Sequence, residues 1–294
     1  MFTGLFIDAF VLSPYIELSK SELVWSIAAG PSAAYTPNIL SELTYSELKS
    51  EGFGLQFSYL KKLNDNWAFY IEGDYSDSSI TSGESQDSDY QSDNRGDEFS
   101  RSYAEIKDDL IKKEMFSVGI KTRWFDKQGH YLTFLFGHQQ HNVDITVTNG
   151  VQAIPVEMNG TPLVGLNSTY DSEFSSWYYG LSTEHVFKWG TIGLRYEIHD
   201  IDFIAQADWN LRPDFQHPKS FEHTGKGDGN TLVLGYTYTF NLSWDAYFNV
   251  IHREYEINDG YDQTFFSDGG SYITTLNKLE YKIESYQLGF RYIF

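Results

Sequence analysis

The sequence predicts an all-β chain, a ten-stranded antiparallel transmembrane β-barrel whose strands extend beyond the membrane. Three observations carry that expectation. The first is composition: 294 residues include 22 Tyr and 22 Phe, yet the net charge is -20 and the mean hydropathy is -0.41. A water-soluble domain of this size would hold more aliphatic core and fewer aromatics. A barrel shows lipid only every second residue and gathers Tyr, Trp and Phe into interfacial girdles. The second is that no run of about 18 apolar residues exists, so no helix crosses a bilayer. The third is period-two alternation, recurring between clusters of turn residues. The chain has no Cys, which fits passage through an oxidising periplasm.

Residues 1–14, MFTGLFIDAFVLSP, contain no Lys or Arg, and Asp8 interrupts their apolar run. They lack the basic start of a secretory signal. They are expected to be an N-terminal stub or residual signal segment ahead of one barrel domain, 15–294. Further along, NWAFYIEGDYSDSS puts Trp67, Phe69, Ile71 and Tyr75 on one face and Ala68, Tyr70, Glu72, Asp74 and Ser76 on the other. NTLVLGYTYTFNL sets Leu232, Leu234, Tyr236, Tyr238, Phe240 and Leu242 against Thr231, Val233, Gly235, Thr237, Thr239 and Asn241. Apolar residues opposite small polar ones are what lipid outside and water inside demand. The last strand, SYQLGFRYIF (285–294), alternates in the same way and is expected to close against the first.

Short breaks fall at KKLNDN (61–66), DKQG (126–129), KWG (188–190) and LSW (242–244). Longer polar ones fall at 80–97, 149–170, 213–229 and 256–275, with another near GPS (30–32). Four short breaks alternating with five longer ones give ten strands, with tight periplasmic turns and long outer loops. Dividing 294 by ten allows roughly 29 residues per strand and connection, well above the 9–11 or so that cross a bilayer. Parity slips near His199–Asp200 and Glu284–Ser285 predict bulges. Acidic residues concentrate in 72–109 and in the outer loops, so the exposed mouth should be electronegative. Such a field attracts cations and basic peptides and repels nucleic acid.

The chain resembles the omptins, outer-membrane barrel proteases with ten long strands. The resemblance rests on DYSDSS (74–79) ending a strand, on YYGLSTEHVFKWGTIGLRY (178–196), on NILSELTYSELKSEGFGLQFSYL (38–60) and on the closing strand. Within that superfamily it is placed with the branch of protochlamydial outer-membrane proteins. The resemblance implies a site in which an Asp-x-Asp and an Asp-x-His hold a water between them. His polarises the water and a carboxylate orients the His; residues two apart on a strand share a face. Glu72 and Asp74 fall on the first pair, with Glu replacing an Asp. The second falls on Asp208-Trp209-Asn210 without a gap, or on Phe221-Glu222-His223 with one. DFQHPKSFEH also brings Asp214, His217, Glu222 and His223 close in sequence.

The family's lipopolysaccharide motif, Tyr-x-Glu-x-Arg, falls on His138-Gln139-Gln140-His141-Asn142, which lacks both the Glu and the Arg. Because the Asp–His pair is broken in either alignment, the expected function is a surface-exposed omptin-like barrel, a narrow pore or a binder of cationic ligands. The alternative is an endopeptidase cutting near basic residues, with Glu72, Asp74, Asp208 and His223 or His217 as its catalytic groups. A metal held by His217 and His223 is weighed against a solvated loop, and the loop is expected. No cofactor is expected, and the partners are outer-membrane lipid and cationic peptides or ions. The expected state is a monomer in the outer membrane of a Gram-negative-type bacterium.

Overall fold

The computed structural model describes residues 8–29, 37–124 and 129–294. Residues 1–7 of the expected stub, the break near 30–32 and residues 126–128 of the DKQG turn lie outside the described residues. The chain forms one antiparallel sheet of twelve strands. They are β1 (Ala9–Ala28), β2 (Ser41–Lys62), β3 (Trp67–Ser92), β4 (Gly96–Ile106), β5 (Asp109–Arg123), β6 (His130–Ile154), β7 (Thr161–Pro162), β8 (Asn167–Phe187), β9 (Gly190–Asp208), β10 (Phe221–Thr239), β11 (Trp244–Phe265) and β12 (Ser271–Ile293). β1 begins at Ala9, ahead of the boundary placed at Tyr15. It pairs with β2 on one side and β12 on the other, from Val11↔Ile293 to Ala28↔Thr275. The sheet therefore closes and leaves no free edge.

Twelve strands replace the expected ten. β7 is a two-residue rung on β6 inside a loop. β4 and β5 descend in succession between β3 and β6, interrupted only at Lys107 and Asp108. Asp108 has φ of 63°, a left-handed backbone that breaks the ladder. Without β7, and with β4 and β5 sharing one position, the closed ring has ten staves.

Three of the short breaks, KKLNDN, KWG and LSW, are tight connections at the end where Val11 meets Ile293. The long polar breaks are largely strand. β3 runs through 80–92, β6 to Ile154, β10 starts at Phe221, and only 266–270 separates β11 from β12. In β3 both faces are polar there, Gly83, Ser85 and Asp87 inward and Glu84, Gln86 and Ser88 on the other side, so the sequence offers no contrast to mark a strand.

The predicted bulges are absent at both sites. Pairing is continuous through His199–Asp200 and through Glu284–Ser285; register shifts occur instead at places such as Ser21/Leu23 and Lys226/Gly227. What changes is polarity. Along β9 the buried side passes from Glu197 and His199 to Ile201, Phe203 and Ala205, while the outer side passes from Tyr196 and Ile198 to Asp200 and Asp202. Along β12 the buried Leu279, Tyr281 and Ile283 give way to Ser285 and Gln287, as outward Lys282 and Glu284 give way to Tyr286 and Leu288. Lipid surrounds the lower half and water the upper, so the barrel turns inside out at the membrane's outer surface without shifting register.

Two interiors result. Below this level the lumen is polar. Above it, Leu23, Trp25, Tyr45, Ile80, Tyr170, Phe174, Phe203, Phe221, Tyr255 and Tyr281 fill the barrel as one apolar core. Their rings pack at ordinary aromatic separations, with Phe174 against Phe203 at 4.8 Å and Trp25 against Phe221 at 5.8 Å.

Candidate functional site

The lower lumen holds a cavity of about 380 Å³, reaching the short-turn end beside Ala9, Leu60 and Ile293. Several of its charges are tied across the lumen, while Arg253 and Arg291 donate to the Thr231 and Thr237 hydroxyls. Glu72 on β3 pairs with Arg195 on β9, which also pairs with Glu197. Ser117 and Tyr70 donate to the Glu72 carboxylate at 2.8 and 2.9 Å. Asp74 accepts from Lys113 on β5 at 2.7 Å and from Tyr15 on β1 at 2.8 Å. Lys121 on β5 reaches Glu184 on β8 at 2.7 Å. Two of the candidate catalytic residues, Glu72 and Asp74, are thus together but fully engaged as ion-pair and hydrogen-bond partners.

The other candidates lie elsewhere. His223 is sealed in the apolar core, packed edge-on to Trp25 at 4.8 Å. Its Nδ1 faces Tyr170 Oη at 3.0 Å. Its Nε2 lies 3.3 Å from Asp262 Oδ1, off-line for a hydrogen bond. Asp208 and His217 meet at the outer mouth, with His217 Nδ1 2.5 Å from Asp208 Oδ1. His217 Nε2 donates to the Arg212 carbonyl at 3.2 Å, while Nδ1 faces the Asp208 carboxylate. The Asp208 partner accordingly raises the His217 pKa above its ordinary value. The structure therefore divides the five candidates among lumen, core and mouth. Asn210 cross-links the loops, accepting from Asn167 N–H at 2.9 Å and donating to the Gly165 carbonyl at 2.8 Å. Asp214 pairs with Arg212 at 3.0 Å, and Glu222 with Lys219 at 2.6 Å.

The mouth holds one further pair, Asp87 and Asp89, which sequence reasoning missed. They sit on outer β3 opposite Leu43 and Ser41 of β2. Burial raises both carboxyl pKa values; for Asp87 the Asp89 charge adds to it. The Arg212 guanidinium stands close enough to oppose that shift in both. Arg212 belongs to the loop 209–220, held down where Phe215 bridges Phe266 and Ser267 N–H donates to the Asp214 carbonyl at 3.0 Å. The available signal was the Asp87-Ser88-Asp89 spacing itself, hidden in a stretch read as loop.

A family model described as Protochlamydia outer membrane protein matches residues 19–292. The chain belongs to that family. No curated protein matches it. Among solved structures, this family member is similar to the outer membrane protease OmpT from Escherichia coli, with a TM-score of 0.71 and 12% identity over 97% of both chains. That likeness is one of fold. It is also matched, at TM-scores of 0.33 and 0.38, to a Pseudomonas aeruginosa FadL homologue (11% identity, 98% and 91% covered) and to the translocator domain of NalP from Neisseria meningitidis (9% identity, 96% and 88% covered). This Protochlamydia-family chain is an outer-membrane β-barrel, with its long loops outside the cell.

Proposed function

We propose that the barrel is a non-conducting surface protein that binds cationic ligands, such as basic peptide side chains, at its acidic mouth. The observation carrying this reading is the Asp87/Asp89 pair placed above an interior filled by apolar side chains. A pore needs a continuous water path, and Trp25, Tyr170, Phe174 and Phe221 occupy it. A guanidinium suits paired carboxylates, and the chain's own Arg212, paired with Asp214, lies within electrostatic reach of both. The test is binding of a fluorescent Arg–Arg peptide to refolded protein. Asp87→Asn with Asp89→Asn should weaken binding at least tenfold and Arg212→Ala should strengthen it; unchanged affinity in both variants rejects the reading.

The second reading is an endopeptidase. It is favoured by the Asp208–His217 contact on the same loop as Arg212, and the structurally similar OmpT is a protease. Against it, both His217 ring nitrogens are already engaged, Nδ1 with Asp208 and Nε2 with the Arg212 carbonyl, so neither is turned toward a water in a cleft. Cleavage of the same peptide, lost in His217→Ala, would establish this reading instead.

A further inference from the structure

His130 opens β6 and His185 lies near the end of β8, directly opposite each other in register. Both are at the short-turn rim, where periplasm meets membrane. Their Nδ1 atoms are 3.3 Å apart. The ring centroids are 4.4 Å apart, with planes inclined by 36°. That is closer than a collinear N–H···N bond at the same nitrogen separation would hold the rings. Tetrahedral zinc bound through imidazole at about 2.0–2.1 Å separates two ligand nitrogens by about 3.3–3.4 Å. The nitrogens already stand at a chelate's separation, and the rings need only splay apart for both lone pairs to meet on one ion.

We propose that His130 and His185 bind a borderline divalent transition-metal ion, zinc or copper, at the periplasmic rim. Imidazole suits these ions. Two adjacent strands fix the backbones, and Phe187 stacks on His185 at 6.1 Å and on Tyr236 at 6.2 Å, supporting one ring from the side. No third His, Cys, Asp or Glu joins the pair among the described residues, so the remaining positions go to water or an oxygen anion. Both nitrogens must offer a lone pair, so binding weakens on acidification as protons compete. The ion would also fasten β6 to β8 at the end of the barrel that carries the short β8–β9 turn.

The refolded barrel in micelles is titrated with zinc chloride by calorimetry. One site per chain is expected. His130→Ala and His185→Ala should each weaken it at least tenfold, while His252→Ala, at another exposed histidine, leaves it unchanged. Copper(II) spin resonance should show coupling to two nitrogens in wild type and fewer in either variant. His185→Gln keeps the rim polar and guards against misfolding, checked by heat-dependent gel migration. Equal affinity in all these variants, or loss confined to His252→Ala, overturns the assignment.

Discussion

Glu72 on β3 and Arg195 on β9 meet across the polar lumen as an ion pair, and Glu72 is 2% exposed. Removing Glu72 leaves Arg195 paired with Glu197 but strips Ser117 and Tyr70 of their acceptor, and an unsatisfied buried polar group costs about 1–3 kcal/mol. Glu72→Ala should lose stability on that scale in urea unfolding from micelles, while binding the Arg–Arg peptide as tightly as wild type. Loss of peptide binding with unchanged stability would return Glu72 to the functional site.

Gly54 lies beneath the Tyr15 ring. A Cβ at that position would sit 2.0 Å from Tyr15 Cζ, so Gly54→Ala must move the ring and break its hydrogen bond to Asp74. A lower unfolding midpoint is expected, and it should be smaller in a Tyr15→Phe background, where the bond is already gone. Equal losses in the two backgrounds would separate the glycine from that bond.

The raised carboxyl pKa values at the mouth set a pH dependence. Asp87 and Asp89 hold their protons above the ordinary aspartate value of 3.8. Peptide binding should therefore strengthen as pH rises through a midpoint above that value. Stability moves the other way: the folded state binds the extra protons in this window, and the advantage is lost as they leave. A binding midpoint at the ordinary value contradicts this.

His217 has the opposite sign. Its folded pKa lies above the ordinary 6.5, so the Asp208 contact favours folding fully below the unfolded value and ceases to as pH rises through the folded one. Proton resonance titration should give a midpoint above 6.5, and Asp208→Asn should bring it down. An unmoved midpoint would show that the contact is absent in solution.

The apolar filling should block ions. Wild type in a planar bilayer is expected to give no conductance steps, whereas Trp25→Ala, Tyr170→Ala and Phe221→Ala combined should open them. Conductance by wild type would remove the basis for the non-conducting reading.

Much of the barrel was legible because lipid imposes contrast. Trp67 to Tyr75 and Leu232 to Tyr238 alternate against polar partners, and the tight turns stand between such runs. The upper half was harder to read. At His199–Asp200 the contrast reverses rather than shifts, and sequence alone treats a reversal as a one-residue slip. Along 83–88 there is no contrast to find, so strand and loop look alike and Asp87 and Asp89 were passed over. Glu72 and Asp74 were rightly seen to face inward. Their engagement with Arg195 and Lys113 depends on strands far away in sequence, which no local pattern records.

The dry upper half has a consequence for compartments. From outside the cell the molecule is a solid peg; from beneath it is a cup. A thiol introduced at Gly235 would react with a reagent released in the periplasm and ignore the same reagent supplied in the culture medium. Whatever solute occupies the cup belongs to the envelope's inner side, although the wall around it stands in the outermost membrane.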